Sequence, residues 1–219
     1  MFATVTLYIG NRNLSSWSLR PWLLMRQLKI PFDEVMLELD RRETRQRIRA
    51  HSPSGKVPVL ELEGFPVWDS LAIVETLAEL YPARGIWPSE QRARMRARSV
   101  VAEMHAGFPD LRKELSMNIT ARIHKPHLST AAQLDVDRVQ ALWKDARDHF
   151  GQGGPFLFGN FSAADAFYAP VVTRFVTYGV PVSPESQAYM DTILALDPMM
   201  EWIAGARAEV QAAGAEATL

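Results

Sequence analysis

Cysteine is absent from this sequence of 219 residues, and its absence excludes several kinds of chemistry. Without cysteine the chain can form no disulfide, no thiolate metal site and no thiol redox motif. The five histidines show neither an HExxH motif nor any other clustered spacing typical of metal ligands, so we expect no metal site. Whatever reaction the protein carries out, it has no sulfur nucleophile of its own.

A surplus of charge of one sign is also absent. The 24 lysines and arginines are balanced by 25 aspartates and glutamates, which gives a net charge of -1. No overall field therefore draws the protein to nucleic acid or to an anionic membrane surface. The first residues, MFATVTLYIG, carry no basic start and are too short and too mixed for a signal peptide or a membrane span. We expect a cytoplasmic protein with neither nucleic-acid nor membrane partners.

Apolar residues are plentiful enough for a sizeable core, and they follow two different patterns. Up to residue 82 the order is strand, helix, strand, helix and then strand, strand, helix. Apolar residues alternate with a period of two in the first strand, and Glu63-Gly64 predicts a hairpin turn between the last two strands. This order suits a small mixed sheet with helices on both faces. From residue 90 onward only helical patterns occur, and the first of them predicts one long helix over 90–118. The sequence therefore predicts an α/β domain at 1–82, a linker at 83–89 and an all-helical domain at 90–219.

Three serines stand between the first predicted strand and the first predicted helix, in the segment NLSSWSLRPW. Pro21 is tolerated most easily in the first turn of a helix, where backbone N–H groups have no intrahelical partner, so Ser18 is predicted as the N-cap. Ser15 and Ser16 would then lie in the preceding loop, where their hydroxyls are less needed as helix caps. Their alternative role is purely structural, as turn residues.

Two further segments combine local backbone features with polar groups. In SGKVPVL, the position of Val57-Pro58 before a strand predicts a cis peptide bond, which would leave the backbone N–H and C=O of Val57 free for an extended ligand. In WDSLAI, Asp69 and Ser70 stand at the start of a helix. Unpaired N–H groups and the positive end of the helix dipole make such a position receptive to a carboxylate, although both residues could simply cap the helix.

Taken in order along almost the whole chain, these segments resemble the cytosolic glutathione transferases. The VP before the third strand and the DS at the third helix match glutathione-binding elements of that family, and FSAADAF matches the capping box of its helical domain. SSWSLR is similar to the SSCSWR motif of the zeta class, with Trp17 in place of the cysteine. The resemblance implies a thioredoxin-like domain followed by an all-helical domain, a homodimer, and a role in detoxification with glutathione as co-substrate.

The resemblance also implies a role for each site residue. A serine hydroxyl would donate a hydrogen bond to the glutathione thiolate; Ser15 aligns with the first serine of the zeta motif and is preferred, and Ser16 aligns with the serine of theta-like enzymes. The residues expected to bind glutathione are Lys56 for the glycyl carboxylate, Val57 and Pro58 for the cysteinyl part, and Asp69 and Ser70 for the γ-glutamyl end. Lys56 could also be only a surface lysine.

A small hydrophobic electrophile is the expected second substrate. The resemblance implies a pocket for it between Trp17 and the long helix that carries Met104, His105 and Phe108, with His105 as a candidate proton donor. Conjugation of the electrophile to glutathione is the leading hypothesis. The alternatives are a glutathione-dependent isomerase of the zeta type, and a non-catalytic ligand-binding or docking protein of the same fold.

Overall fold

The α/β half of the protein follows the predicted order of elements. The computed structural model describes residues 4–39, 44–123, 125 and 127–216. The elements of this half are β1 (Val5–Ile9), α1 (Ser16–Gln27), β2 (Asp33–Met36), α2 (Thr44–His51), β3 (Val59–Leu62), β4 (Phe65–Trp68) and α3 (Ser70–Leu80). A short 3-10 turn, Pro82–Arg84, follows α3.

The four strands form one mixed sheet in the order β2-β1-β3-β4. Strand β1 is parallel to β2 and antiparallel to β3, and β3 is antiparallel to β4. Because side chains alternate along β1, Leu7 and Ile9 join the main core with α1 and α3, whereas Tyr8 packs with Ile48 of α2 on the other face. The expected small sheet with helices on both faces is confirmed.

The remainder of the described chain is helical. Its helices are α4 (Gln91–Ala106), α5 (Pro109–Glu114), α6 (Thr130–Phe150), α7 (Ala163–Tyr178), α8 (Pro184–Leu194) and α9 (Asp197–Glu216). Every residue of α7 except Val176 is buried, and α7 packs against both α1 and α4. The predicted capping box at its start is confirmed, with Ser162 and Asp165 bonded reciprocally to the backbone. None of the helices in the described ranges is long and apolar enough to cross a bilayer.

The single helix predicted over 90–118 is wrong, because the chain breaks it between α4 and α5. Phe108 adopts a left-handed conformation with φ of 60°, and Pro109 opens α5. A proline at that position has no N–H to continue the hydrogen bonding of α4, and its ring would clash with the preceding turn. It is favourable instead at the first position of a new helix. Phe108 consequently precedes α5 rather than extending α4.

Helix α1 begins three residues earlier than predicted. Ser15 rather than Ser18 occupies the N-cap position, and Ser16 is the first residue of the helix rather than part of the preceding loop. Pro21 therefore lies inside the helix, where it removes one backbone hydrogen bond. Buried apolar residues on α1, Leu19 and Leu23 among them, compensate for that loss by packing in the core. Ser18 instead fixes the loop after β1, because its Oγ accepts the backbone N–H of Gly10 at 3.0 Å.

Two other local predictions are confirmed. The Val57-Pro58 peptide bond is cis. Glu63 and Gly64, with φ of 51° and 83°, form the tight turn between β3 and β4. This left-handed turn matches the right-handed twist of the two strands.

Helix α9 closes against the loop that follows β1. The backbone N–H of Arg12 donates to Glu209 at 2.8 Å, and its guanidinium donates to the same carboxylate at 3.0 Å. Trp202 of α9 donates from its indole N–H to the backbone C=O of Arg12 at 2.9 Å. One residue further, Asn13 donates through its side-chain amide to Asn118 at 3.0 Å. The loop that leads to the serines is thus held by the helical half.

Candidate active site

A pocket of about 410 Å³ lies where α1, the turn before β3 and the start of α3 meet. It brings together all five residues predicted to bind glutathione, with one residue predicted for the second substrate. The residues that line it are Trp17, Ser54, Lys56, Val57, Pro58, Trp68, Asp69 and Ser70. Cavities elsewhere in the described chain, of about 480 and 580 Å³, are lined by none of these residues.

The start of α3 presents donors to this pocket. The Asp69 carboxylate caps the helix by accepting the N–H of Leu71 at 2.8 Å, with the Asp69 backbone at a φ of 75°. The Ser70 side chain is buried, and its Oγ accepts from Nη1 of Arg20 at 3.4 Å. Free N–H groups at a helix start, together with the positive end of the dipole, favour a bound carboxylate.

The turn before β3 supplies an unpaired stretch of backbone. Among the described residues no hydrogen bond uses the N–H or the C=O of Val57. The preceding turn is fixed by serines: the Lys56 N–H donates to Ser52 at 3.4 Å and to Ser54 at 3.3 Å, and the two hydroxyls lie 2.9 Å apart. An extended peptide can therefore pair with Val57 without displacing an existing bond.

Two pocket residues were missed by sequence reasoning. Ser54 is the first residue of the SGKVPVL segment, and Trp68 directly precedes Asp69. Their position next to predicted site residues was the available signal. Because Trp68 is the last residue of β4, the strand carries its ring to the same edge as the α3 start.

The two candidate catalytic serines differ in their hydrogen bonds. Ser15 donates from its hydroxyl to Ser18 at 2.8 Å, whereas Ser16 accepts from Nη2 of Arg174 at 3.1 Å. Both are buried, and neither is among the described residues that line the pocket, although the next residue, Trp17, does line it. The Ser16 hydroxyl hydrogen has no acceptor in the described part of the chain, so it remains available to a ligand.

Two arginines lie against the Trp17 ring, and a third, Arg174, contacts the neighbouring Ser16. The guanidinium of Arg20 lies 4.2 Å from the centroid of the Trp17 ring, and that of Arg112 lies 4.9 Å from it. Burial, reinforced by the neighbouring arginines, holds the pKa of Arg20 well below its usual range. Burial, and then Arg112, lowers the pKa of Arg174 to about 10. Arg20 was visible in the SSWSLR motif, but no local pattern pointed to Arg112 or Arg174.

The four residues predicted for the second substrate separate into two pairs. Trp17 and His105 are in edge-to-face contact with their centroids 5.3 Å apart, and Nε2 of His105 lies 3.4 Å from Oδ2 of Asp69. Burial lowers the pKa of His105; Asp69 opposes that shift, and Arg20 and Arg112 add to it. The side chains of Met104 and Phe108 lie in the hydrophobic core, with 1% and 4% of each residue exposed.

The described residues contain no group of three or more histidine, aspartate and glutamate side chains placed to hold a metal ion. The polar groups of the pocket are hydroxyls, backbone groups, two indole N–H groups, one lysine and one aspartate. They suit recognition of a peptide with carboxylates at its ends.

Comparison with protein families gives two matches. The model described as glutathione S-transferase, N-terminal domain, matches residues 14–80, and the model described as glutathione S-transferase, C-terminal domain, matches residues 129–207. Together they include Ser15 and Ser16, the pocket and most of the helical half.

Two curated relatives carry related names. The probable maleylacetoacetate isomerase of Caenorhabditis elegans is 24% identical over 183 residues, which are 81% of this chain and 82% of that protein. The maleylacetoacetate isomerase of Rhizobium meliloti (strain 1021) is 36% identical over 74 residues, about a third of each chain (34% and 33%).

Solved structures are similar over nearly the whole chain. A glutathione transferase homolog from Burkholderia gl BGR1, with bound glutathione, superposes with a TM-score of 0.70 at 23% identity and covers 93% of this chain and 98% of its own. Glutathione transferase Omega 2S from Trametes versicolor, in complex with 2,4-dihydroxybenzophenone, gives 0.72 at 17% identity and covers 97% and 98%. At these identities the likeness shows a shared fold, thioredoxin-like with a helical domain.

Proposed function

Because this chain belongs to the glutathione S-transferase family, we propose that it binds glutathione in the pocket at the start of α3 and directs the thiolate against a small hydrophobic electrophile. The protein is a glutathione-dependent enzyme with glutathione as its co-substrate. The observation that carries the proposed site is the meeting of Lys56, Val57 and Ser70 in one pocket beside Trp17, the residue that follows Ser15 and Ser16. We also propose that the domains divide at the predicted linker, 83–89.

Each part of glutathione has a partner of fitting chemistry. The γ-glutamyl carboxylate accepts from Ser70 and from the free N–H groups at the start of α3. The cysteinyl part pairs with the N–H and C=O of Val57, as a strand would. The glycyl carboxylate meets the ammonium of Lys56, which is exposed at the pocket rim. Three anchored points fix the thiol near the start of α1.

Activation of the thiol rests on a hydroxyl donor. A free thiol has a pKa of about 8.5, so only a few per cent is thiolate at neutral pH. A hydrogen bond to a charged group contributes about 1.5–3 kcal/mol, and since one pKa unit is about 1.36 kcal/mol, one such bond lowers the thiol pKa by about one to two units. The family resemblance favours Ser15 as the donor, whereas the Arg174 contact, which leaves the Ser16 hydrogen available, favours Ser16.

Isomerase chemistry of the zeta type is the second candidate. It is supported by the two relatives named maleylacetoacetate isomerase. Trp17 stands where the zeta motif has cysteine, and its ring lines the pocket. A purely docking role is less well supported, because such a module has no need of an unpaired Val57 backbone beside a carboxylate-binding helix start.

Dimerisation is proposed through the exposed edge of the sheet. Strand β4 is an edge strand, and Phe65 on it is 69% exposed. Exposed apolar side chains on an open edge are typical of an interface.

We expect a dimeric mass by light scattering at micromolar concentration, and a monomeric mass for Phe65→Glu. The control is Leu134→Glu on α6. Its side chain is similarly exposed, at 64%, but α6 packs against the helices α4, α5 and α8. A wild-type monomer contradicts the proposal.

The binding site is tested by calorimetric titration with glutathione, followed by a thiol-conjugation assay. Ser70→Ala is expected to weaken glutathione binding by about tenfold, the effect of losing a hydrogen bond to a charged group. Ser99→Ala on the exposed face of α4 is the matched control and is expected to bind as the wild type does. Unchanged affinity of Ser70→Ala would remove the γ-glutamyl assignment.

A further inference from the structure

Arg20 is a buried arginine whose charge has no partner of opposite sign close by. The whole residue is inaccessible to solvent. Nη1 donates to the Ser70 hydroxyl at 3.4 Å, whereas Nε and Nη2 have no hydrogen-bond partner among the described residues. No carboxylate in the described ranges lies within 4 Å of its guanidinium. A buried charge costs free energy of desolvation unless a group of opposite charge compensates for it.

The guanidinium is held rigidly in place. It lies between two aromatic rings, 4.2 Å from the centroid of Trp17 and 4.7 Å from that of Phe167. Cation–π contacts of this kind fix the plane of an arginine without neutralising its charge. The neighbouring charges are mainly positive, from Arg112 and Arg174, and Asp69 opposes them. The pocket wall behind Ser70 is therefore cationic.

Ser70 connects this charge to the pocket. Its Oγ accepts from Arg20, and the described part of the chain offers no acceptor for its own hydrogen. A hydroxyl that accepts from a cation is a stronger donor to an anion on its other side. A carboxylate oxygen bonded to Ser70 would lie two hydrogen-bond lengths, about 6 Å, from the guanidinium. At an effective dielectric constant of about 20, the attraction at that distance corresponds to as much as a hundredfold in affinity.

We propose that Arg20 is a positioning residue for glutathione, which acts through Ser70 to hold the α-carboxylate of the γ-glutamyl group. The proposal rests on the proposed function, since it concerns the same pocket. Arg20 does not itself touch the ligand. It supplies the charge that Ser70, a neutral side chain, lacks. The missing partner of the buried arginine is thus the carboxylate of the substrate.

The test compares two ligands in calorimetric titrations: glutathione, and 4-aminobutyryl-cysteinyl-glycine, which lacks only the α-carboxylate. For Arg20→Met and Arg20→Gln we expect glutathione affinity to fall by about tenfold or more, with affinity for the shorter analogue changed less than twofold. Arg98→Met is the matched control, since Arg98 also lies over a tryptophan ring, Trp87, but on an exposed part of α4. It is expected to bind both ligands as the wild type does.

A merely structural Arg20 gives different results. Equal losses for the two ligands, or no loss for either, overturn the proposal. Removal of a buried, unpaired charge is expected to leave the urea midpoint unchanged or higher. If both neutral variants fail to fold while Arg98→Met folds, Arg20 is a structural residue and the proposal is wrong. Failure of the wild type to bind glutathione is a separate outcome, which overturns the proposed function and the Arg20 proposal with it.

Discussion

Replacing Ser15 and Ser16 with alanine, one at a time, identifies which hydroxyl stabilises the bound thiolate. The variant that loses the donor is expected to raise the pKa of the bound thiol by about one to two units, the equivalent of one hydrogen bond to a charged group. The rate at neutral pH then falls by about tenfold or more. It recovers in part at higher pH, because the thiolate then forms without help.

Glutathione affinity is expected to stay nearly unchanged in both variants, since the peptide is held by Val57 and Ser70. Neither change should unfold the protein. Without Ser16, Arg174 still donates to the C=O of Leu115, and without Ser15, the Ser18 hydroxyl still accepts from Gly10. A change in the pKa of the bound thiol without a change in glutathione affinity or in folding therefore assigns the serine a role in the reaction itself.

The measurement is the ultraviolet absorbance of the bound thiolate, titrated against pH in the wild type and in each variant. A shift only in Ser15→Ala agrees with the alignment to the zeta motif. A shift only in Ser16→Ala assigns the donor role to the hydroxyl that Arg174 supports. If neither titration moves, Ser15 and Ser16 are structural and the proposed activation is wrong.

Three other predictions concern stability and are measured by urea unfolding. Ser18→Ala is expected to lower the free energy of unfolding by about 1–3 kcal/mol, because the buried N–H of Gly10 loses its acceptor; a loss below about 0.5 kcal/mol contradicts this. Burial raises the pKa of Asp165 from 3.8 to about 6, so the stability that protonated Asp165 contributes is full below pH 4 and is lost as the pH rises through 6. The free energy of unfolding of the wild type minus that of Asp165→Asn should therefore fall by about 3 kcal/mol between pH 4 and 7. A difference that does not change with pH refutes the shift. A double-mutant cycle of Arg12→Ala and Glu209→Ala should give a coupling energy of about 1–2 kcal/mol, and strict additivity would show that the Arg12–Glu209 ion pair contributes nothing.

The features that sequence reasoning found are those set by neighbouring residues. The period of two in β1, the Glu63-Gly64 turn and the capping box at Ser162 each depend on a few adjacent positions, and the structure has all three. The start of α1 was mispredicted because a local rule about Pro21 was outweighed by the burial of the whole helix. Propensity yields to tertiary packing in this way.

The helix break at Pro109 had a visible local signal, Gly107 followed by Phe108 and proline, which the apolar periodicity on either side obscured. No local sequence signal indicated the arginine contacts of the site. Arg174 donates to Ser16 from 158 positions further along the chain, and Arg20 reaches Ser70 across 50. Such pairs are set by the packing of α1 on α7 and α3, which no local pattern encodes.

The contacts between α9 and the loop after β1 can form only after both segments have been synthesised. A chain emerging from the ribosome can form its N-terminal elements first, because domains generally fold as units while the rest is still being made. The loop that leads to the serines, however, receives its bonds to Asn118, Trp202 and Glu209 only after those residues exist. A nascent chain that lacks α9 can therefore hold a folded sheet while the loop after β1 still lacks its bonds to Trp202 and Glu209. We expect the loop that leads to Ser15 and Ser16 to reach its final arrangement only after α9 has been synthesised.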